Sequence, residues 1–177
     1  MAITLATGTQ VAIAATYGTT FTITAITNAS SAVATCSAGH GLVVGDIIEV
    51  TSGWDLLNLR LVRVSNVATN DVTLEGIDTT STTNYPATSG TGSGRKVATW
   101  SSITQIQSVD TSGGHLKFAD ITTIVDRTEK QMPTVRSAVN INFTVYEDPS
   151  QSWYTTANAA STNNTLVGMR LVFPNSS

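Results

Sequence analysis

The sequence predicts a mostly β protein, a β-sandwich or partial barrel with one flanking α-helix and a small inserted β-module. Short runs along nearly the whole chain alternate apolar and small polar residues, the period-two pattern of half-buried strands. Serine and threonine fill 49 of the 177 positions, and threonine suits a pleated, half-covered surface. One segment, near the C-terminal end, carries helical spacing behind a residue able to cap it.

Taken in order, Thr9 to Ala14 and Thr20 to Thr27 read as strands, with Phe21, Ile23 and Ala25 on one face of the second. Asn28 to Ser31 is a turn-like polar cluster. Val33 to Cys36 is a short strand, Gly39-His40-Gly41 a turn, and Gly45-Asp46 leads into a strand from Ile47 to Val50. Thr51 to Asn58 reads as a loop carrying Trp54 and Leu56, followed by a strand from Leu59 to Val67. Thr69-Asn70-Asp71 turns the chain into Val72 to Leu74. Strands this short and evenly spaced favour a small barrel or sandwich.

Thr79 to Gly94 is rich in Thr, Ser and Gly and reads as a flexible surface loop. Val97 to Val109 is strand-like, Ser112-Gly113-Gly114 turns the chain, and Lys117 to Val125 alternates again. Asp126 to Pro133 is charged and irregular. Ser137 to Tyr146 is the clearest strand, with Val139, Ile141, Phe143 and Val145 on one face. Asp148 is placed to cap a helix, Pro149 suits its first turn, and Trp153, Ala157 and Ala160 share its apolar side. Asn163-Asn164 ends that helix, and Leu166 to Phe173 is a last strand stopped by Pro174.

Charge narrows the function. Charged residues are 12% of the chain and the net charge is −3, with nine scattered basic residues. That argues against nucleic-acid binding, which needs clustered Lys and Arg against phosphates. No Asp, Glu, Lys or Arg precedes Asp46. Uncharged β-edges need covering, by the same chain or by neighbouring copies. About half of the chain's 21 charges fall instead between Asp110 and Asp148. One cysteine, Cys36, allows no disulfide within the chain. The first ten residues lack a basic region followed by an apolar run, and no run reaches membrane-spanning length, so a cytosol-like compartment is expected.

Motifs for chemistry are weak. Cys36 and His40 have a C-x-x-x-H spacing, but zinc wants four closely paired ligands, and a buried cysteine beside a turn histidine is the simpler reading. No G-x-S-x-G elbow is present. Asp46 with Glu49, and Glu147 with Asp148, read as solvated carboxylates. Gly90 to Lys96 fails the phosphate-loop pattern, because Arg95 follows the last glycine and Val97 follows Lys96. Trp54, Trp100 and Trp153 define no stacking groove and read as core residues. Neither an enzyme nor a cofactor is expected.

A family pattern does fit the order of elements. Ala6-Thr7-Gly8-Thr9-Gln10-Val11-Ala12-Ile13-Ala14 resembles the opening of phage tail tube proteins, the major tail proteins of long-tailed, siphovirus-type bacteriophages. Ile103 to Val109 resembles a following strand, and Ala119 to Ile124, then charged Asp126 to Lys130 and Pro133, resembles the family's long inter-strand loop. Asn140 to Tyr146, Asp148-Pro149, Trp153 to Ala160 and Leu166 to Pro174 resemble its strand, helix and closing strand. Within the pattern, residues 1–30 and 97–177 form a split β-sandwich core, 31–78 an inserted small β-module, and 79–96 a flexible loop. His40-Gly41-Leu42, Gly45-Asp46 and Val72 to Gly76 resemble a module of other virion proteins.

The resemblance implies a structural virion protein that stacks in hexameric rings into a tube for genome delivery, assembled in the bacterial cytoplasm. Partners implied are further copies of itself, the tape measure protein, and the tail terminator and distal tail proteins, with DNA passing through unbound. Asp120, Asp126, Arg127, Glu129, Lys130 and Arg136 are the implied subunit-interface residues, and Asp148, Pro149 and Trp153 anchor the helix. A capsid decoration protein and a carbohydrate-binding β-sandwich are the alternative readings.

Overall fold

Eleven strands and one helix are present among the described residues, 9–172, of the structure, a computed structural model. The strands are β1 (Gln10–Ile26), β2 (Val33–Cys36), β3 (Ile47–Ser52), β4 (Arg60–Ala68), β5 (Asp71–Leu74), β6 (Gly92–Ile103), β7 (Ile106–Gly113), β8 (Leu116–Asp120), β9 (Gln131–Arg136), β10 (Val139–Val145) and β11 (Met169–Val172), with helix α1 (Ser152–Asn163) before the last. The chain is therefore mostly β with one helix and several antiparallel sheets. It divides into two units. One holds β1 to β6, α1 and β11; the other, Thr104–Asp148, holds β7 to β10.

In the first unit, hydrogen-bonded neighbours run β1-β2-β5-β4-β3-β6, and β6 pairs with β1 again, so six antiparallel strands close a barrel. Closure removes the edges that a charge-poor sheet would otherwise present. Inward positions alternate along the strands as the sequence patterning expects: Ile23, Ala34, Cys36, Ile48, Val50, Val62, Val64, Val72 and Leu74 are all buried. Trp54, Leu57, Ile77 and Tyr85 from the loops complete the same cluster. The single thiol, Cys36, sits in this apolar interior, and burial pushes its pKa up to about 11.

β1 is one strand where the sequence suggested two. Its register against β6 shifts between Ala14 and Thr20, and these irregularities bend one strand so that it pairs with β11 in its first half and with β2 in its second. The C-terminal half of β1 belongs to the barrel; the N-terminal half lies between β11 and β6. Both edges of Val11–Ile13 are thus covered by the chain's own strands, as is Ile23 between β2 and β6. Among the described residues, these uncharged edges are covered within one copy.

Helix α1 packs against β1 and β6 through Trp153, its one buried residue, and Ser152 Oγ lies 2.6 Å from Ser101 Oγ. Its N-cap is Gln151, with no side-chain cap bond, rather than Asp148; Pro149 sits in the turn before the helix. Asp148 lies three residues before that cap, and its Oδ2 accepts a hydrogen bond from Gln105 Nε2 at 3.2 Å. Asn164 ends the helix in the left-handed conformation, where an asparagine is tolerated. The final strand begins at Met169, later than expected, and Phe173 and Pro174 lie outside the described residues, as do Ala6 to Gly8.

Residues 79–91 are tied to the barrel. Thr79 is fully buried, and its hydroxyl donates to Thr27 O at 2.7 Å. Asn28 Nδ2 donates to Thr79 O and to Tyr85 O, both at 2.9 Å. Trp54 Nε1 donates to Pro86 O at 2.7 Å, and the Trp54 and Tyr85 rings meet edge to face. Gly92 to Lys96 belong to β6.

Candidate functional site in the extended hairpin

The second unit is a single long hairpin. β7 pairs antiparallel with β10, from Ile106↔Val145 to Gly113↔Val139, and β8 pairs with β9 beyond them. Ser137 N–H donates to His115 O at 2.8 Å and bridges the two segments. The expected turn at Ser112-Gly113-Gly114 is instead a kink in an outgoing strand, and the chain reverses at 121–130. Gly113 has φ +89°, and a Cβ there would lie 1.9 Å from Ala138 O, so the kink requires glycine.

Directly paired residues share a face of a two-stranded ribbon. One face of the β7–β10 ribbon therefore carries Ile106, Val109, Ile141, Phe143 and Val145, and the other Ser108, Asp110, Ser112, Asn140, Asn142 and Thr144. No described residue of Thr104–Asp148 is buried. Phe118, Met132 and Val135 are more than half exposed, Val125 is 84% exposed and Ile124 fully so. An isolated two-stranded hairpin is at best marginally stable in water, and a row of exposed apolar side chains marks an interaction surface.

The turn gathers most of the charged residues that the sequence singled out. Asp120 ends β8, and Asp126, Arg127, Glu129 and Lys130 follow within the connection to β9; Arg136 lies at the other end of β9, opposite Leu116. Asp126 shapes the turn. Its carboxylate pairs with the Lys130 ammonium and accepts from Thr123 N–H at 2.9 Å and the Thr123 hydroxyl at 2.8 Å. Asp120 accepts from Thr122 N–H at 2.8 Å. The Lys130 ammonium, then the Thr123 donors, hold the Asp126 carboxyl below its ordinary value, and the Thr122 hydroxyl and N–H do the same for Asp120.

A carboxylate with a depressed folded pKa stabilises the turn above its unfolded pKa, about 3.9, and loses that contribution as pH falls through the folded value. The Thr122 and Thr123 amide resonances are therefore expected to stay put from neutral pH through mild acid. They should move only as pH drops below the ordinary carboxylate range. A titration midpoint at or above that range would contradict the assigned contacts.

Other candidates resolve into structural contacts. Leu42 N–H donates to His40 Nδ1 at 3.1 Å, which leaves Nε2–H to donate to Thr69 O at 2.9 Å. Among the described residues no group of three or more His, Cys, Asp or Glu is placed to hold a metal ion. Arg95 and Lys96 on β6 pair with Glu49 on β3 and with Asp46 just before it, each at 2.8 Å. These two carboxylates are thus nearly buried ion-pair partners rather than a solvated face. Trp54 and Trp153 are buried, whereas the Arg170 guanidinium lies 4.6 Å over the Trp100 ring. No described helix is long and apolar enough to cross a membrane.

Sequence reasoning found the charges of the hairpin and placed Val139, Ile141, Phe143 and Val145 on one face of a strand, within the segment 97–177 taken as sandwich core. The missing signal was that no other segment of this unit could cover that face.

The model of the family described as phage tail tube protein, TTP, matches residues 52–177. The chain belongs to the phage tail tube protein family. The match covers β4 to β11 and the whole hairpin. No curated protein and no solved structure matches the chain. As a tail tube protein it is a structural component of the bacteriophage virion, located in the tail.

Proposed function

We propose that copies of this chain join through the Thr104–Asp148 hairpin into stacked, hexameric rings that form the tail tube and carry the genome into the host. The carrying observation is a long ribbon with an apolar face and no buried residue of its own. Both outer edges of the β7–β10 ribbon lack strand partners among the described residues, so a neighbouring copy can extend the sheet while covering the apolar face. The net charge of −3 suits a conduit that lets DNA pass without holding it. In this reading the role is architectural and non-catalytic, assembly takes place in the host cytoplasm, and the tape measure, tail terminator and distal tail proteins meet the tube in the lumen and at its ends.

The test is sedimentation and negative-stain microscopy of purified protein across a concentration series, with no cofactor added. Rings or hollow tubes are expected, and a compact monomer at every concentration would refute the reading. The charged turn gives a sharper result. Arg127→Glu with Lys130→Glu removes the ammonium facing Asp126 and reverses two charges per copy, repeated around each ring. Tube yield should fall severely while the circular dichroism spectrum of the soluble protein is unchanged. Normal tubes would make this turn ordinary surface.

A further inference from the structure

An open groove of about 590 Å³ lies wholly within the first unit, between barrel strands β3 and β4 and the segment leading into β11. Its lining includes Leu59, Arg60, Leu61, Leu166 and Met169. Leu59 combines two costly features: φ of +57°, unusual for a branched side chain, and 52% exposure. Leu166 is 75% exposed. The groove is firmly built. A Cβ on Gly168 would lie 2.6 Å from Leu61 Cδ1, so glycine lets this segment lie against the barrel wall. Gly168 N–H donates to the Tyr17 hydroxyl at 3.2 Å, and Ala14 N–H donates to Gly168 O at 2.8 Å. Arg95 is satisfied by Glu49, whereas Arg60 forms no ion pair among the described residues. The groove is thus apolar with an uncommitted cation at its rim.

We propose that this groove receives the hairpin turn, residues 121–130, of a second copy of the chain, with Ile124 and Val125 against Leu59, Leu166 and Met169. This rests on the assembly reading above and names its acceptor surface. The turn is complementary in both respects. Ile124 and Val125 are the two most exposed large apolar side chains described. The four charges of 121–130 cancel, and with Asp126 already paired to Lys130, Glu129 is the carboxylate left to face Arg60.

The test uses the full chain under tube-forming conditions. One preparation carries Ile124→Cys with an affinity tag, another Leu166→Cys without one, and the two are mixed and oxidised. The native Cys36 is buried and stays out of the exchange. A tagged–untagged disulfide dimer is expected at about tenfold or more the yield of a control mixture pairing Ile124→Cys with Val44→Cys, because docking raises the local thiol concentration. Adding Arg60→Glu to the acceptor should cut that yield several-fold. Tubes that form normally while the dimer stays at the control level would overturn the groove as acceptor and leave the assembly reading standing. A disulfide found only when both cysteines sit in one chain would also overturn it, as a contact within a copy. Failure of the unsubstituted protein to assemble at all would overturn both.

Discussion

Replacing Ile106–Val145 by a two-residue Asn-Gly turn is expected to give a folded monomer that forms no tubes. Tyr146 N–H already donates to Gln105 O at 3.0 Å, so the two strands are adjacent where the cut would be made, and Asn-Gly closes such a pair with little strain. The core cluster lies entirely outside the hairpin, and no described residue of Thr104–Asp148 is buried. Thermal unfolding should therefore stay cooperative, with a midpoint within a few degrees of the parent, while sedimentation and microscopy show loss of polymer. Tubes from the shortened chain would move the assembly surface elsewhere. A lost unfolding transition would make the hairpin part of the fold's core.

Excision of residues 31–94 with a short Gly/Ser replacement is expected to do the opposite and abolish folding. From sequence this stretch read as a self-contained insertion followed by a flexible loop, which would make it dispensable. The barrel argues otherwise. The cut removes Ile48, Val50, Trp54, Leu57, Val62, Val64, Val72 and Leu74, all buried at 4% exposure or less. At about 1.5–3 kcal/mol for each large apolar side chain, the loss is as large as the whole margin of about 5–15 kcal/mol that typically holds a domain together. Of the residues buried in the intact chain, the cut leaves a short list: Val11 to Ala14, Phe21, Ile23, Ile26, Val97, Ser101 and Trp153. Phe21 and Ile23 would face solvent. Circular dichroism and proteolysis of the excised protein decide the matter, and a protease-resistant product would restore the dispensable module.

Strands β2 to β5 of the barrel were legible because each obeys a local rule. Asp71–Leu74 follows an Asn-containing turn, and Ile47–Ser52 alternates cleanly behind Gly45. Barrel closure was not legible, since it depends on β6 returning to pair with β1 across some 70 residues of chain. The burial of Tyr85 was hidden for a related reason. Its neighbours are Ser, Thr and Pro, and only the distant Asn28 and Trp54 show that the segment is held down. The helix was placed correctly, but its cap was assigned to Asp148 because a capping residue next to proline is a strong local signal. The helix begins three residues later, with Gln151 at its N-cap. In the hairpin, the charges at Asp126 to Lys130 stood out in a charge-poor chain. Ile124 and Val125 did not, because apolar residues attract notice only when nothing covers them.

Strand β1 has a mechanical consequence. Its 17 residues run from the sheet under the helix into the wall of the barrel without a loop between them. At about 3.3 Å per residue, that is a tie of roughly 50 Å. A load applied to the helix-covered sheet and resisted at the barrel runs along the tie and acts on the β1–β6 hydrogen bonds in parallel, so that many must yield together rather than one after another. Two parts joined in this way respond to tension as one stiff body, whereas a flexible linker would let the barrel swing free.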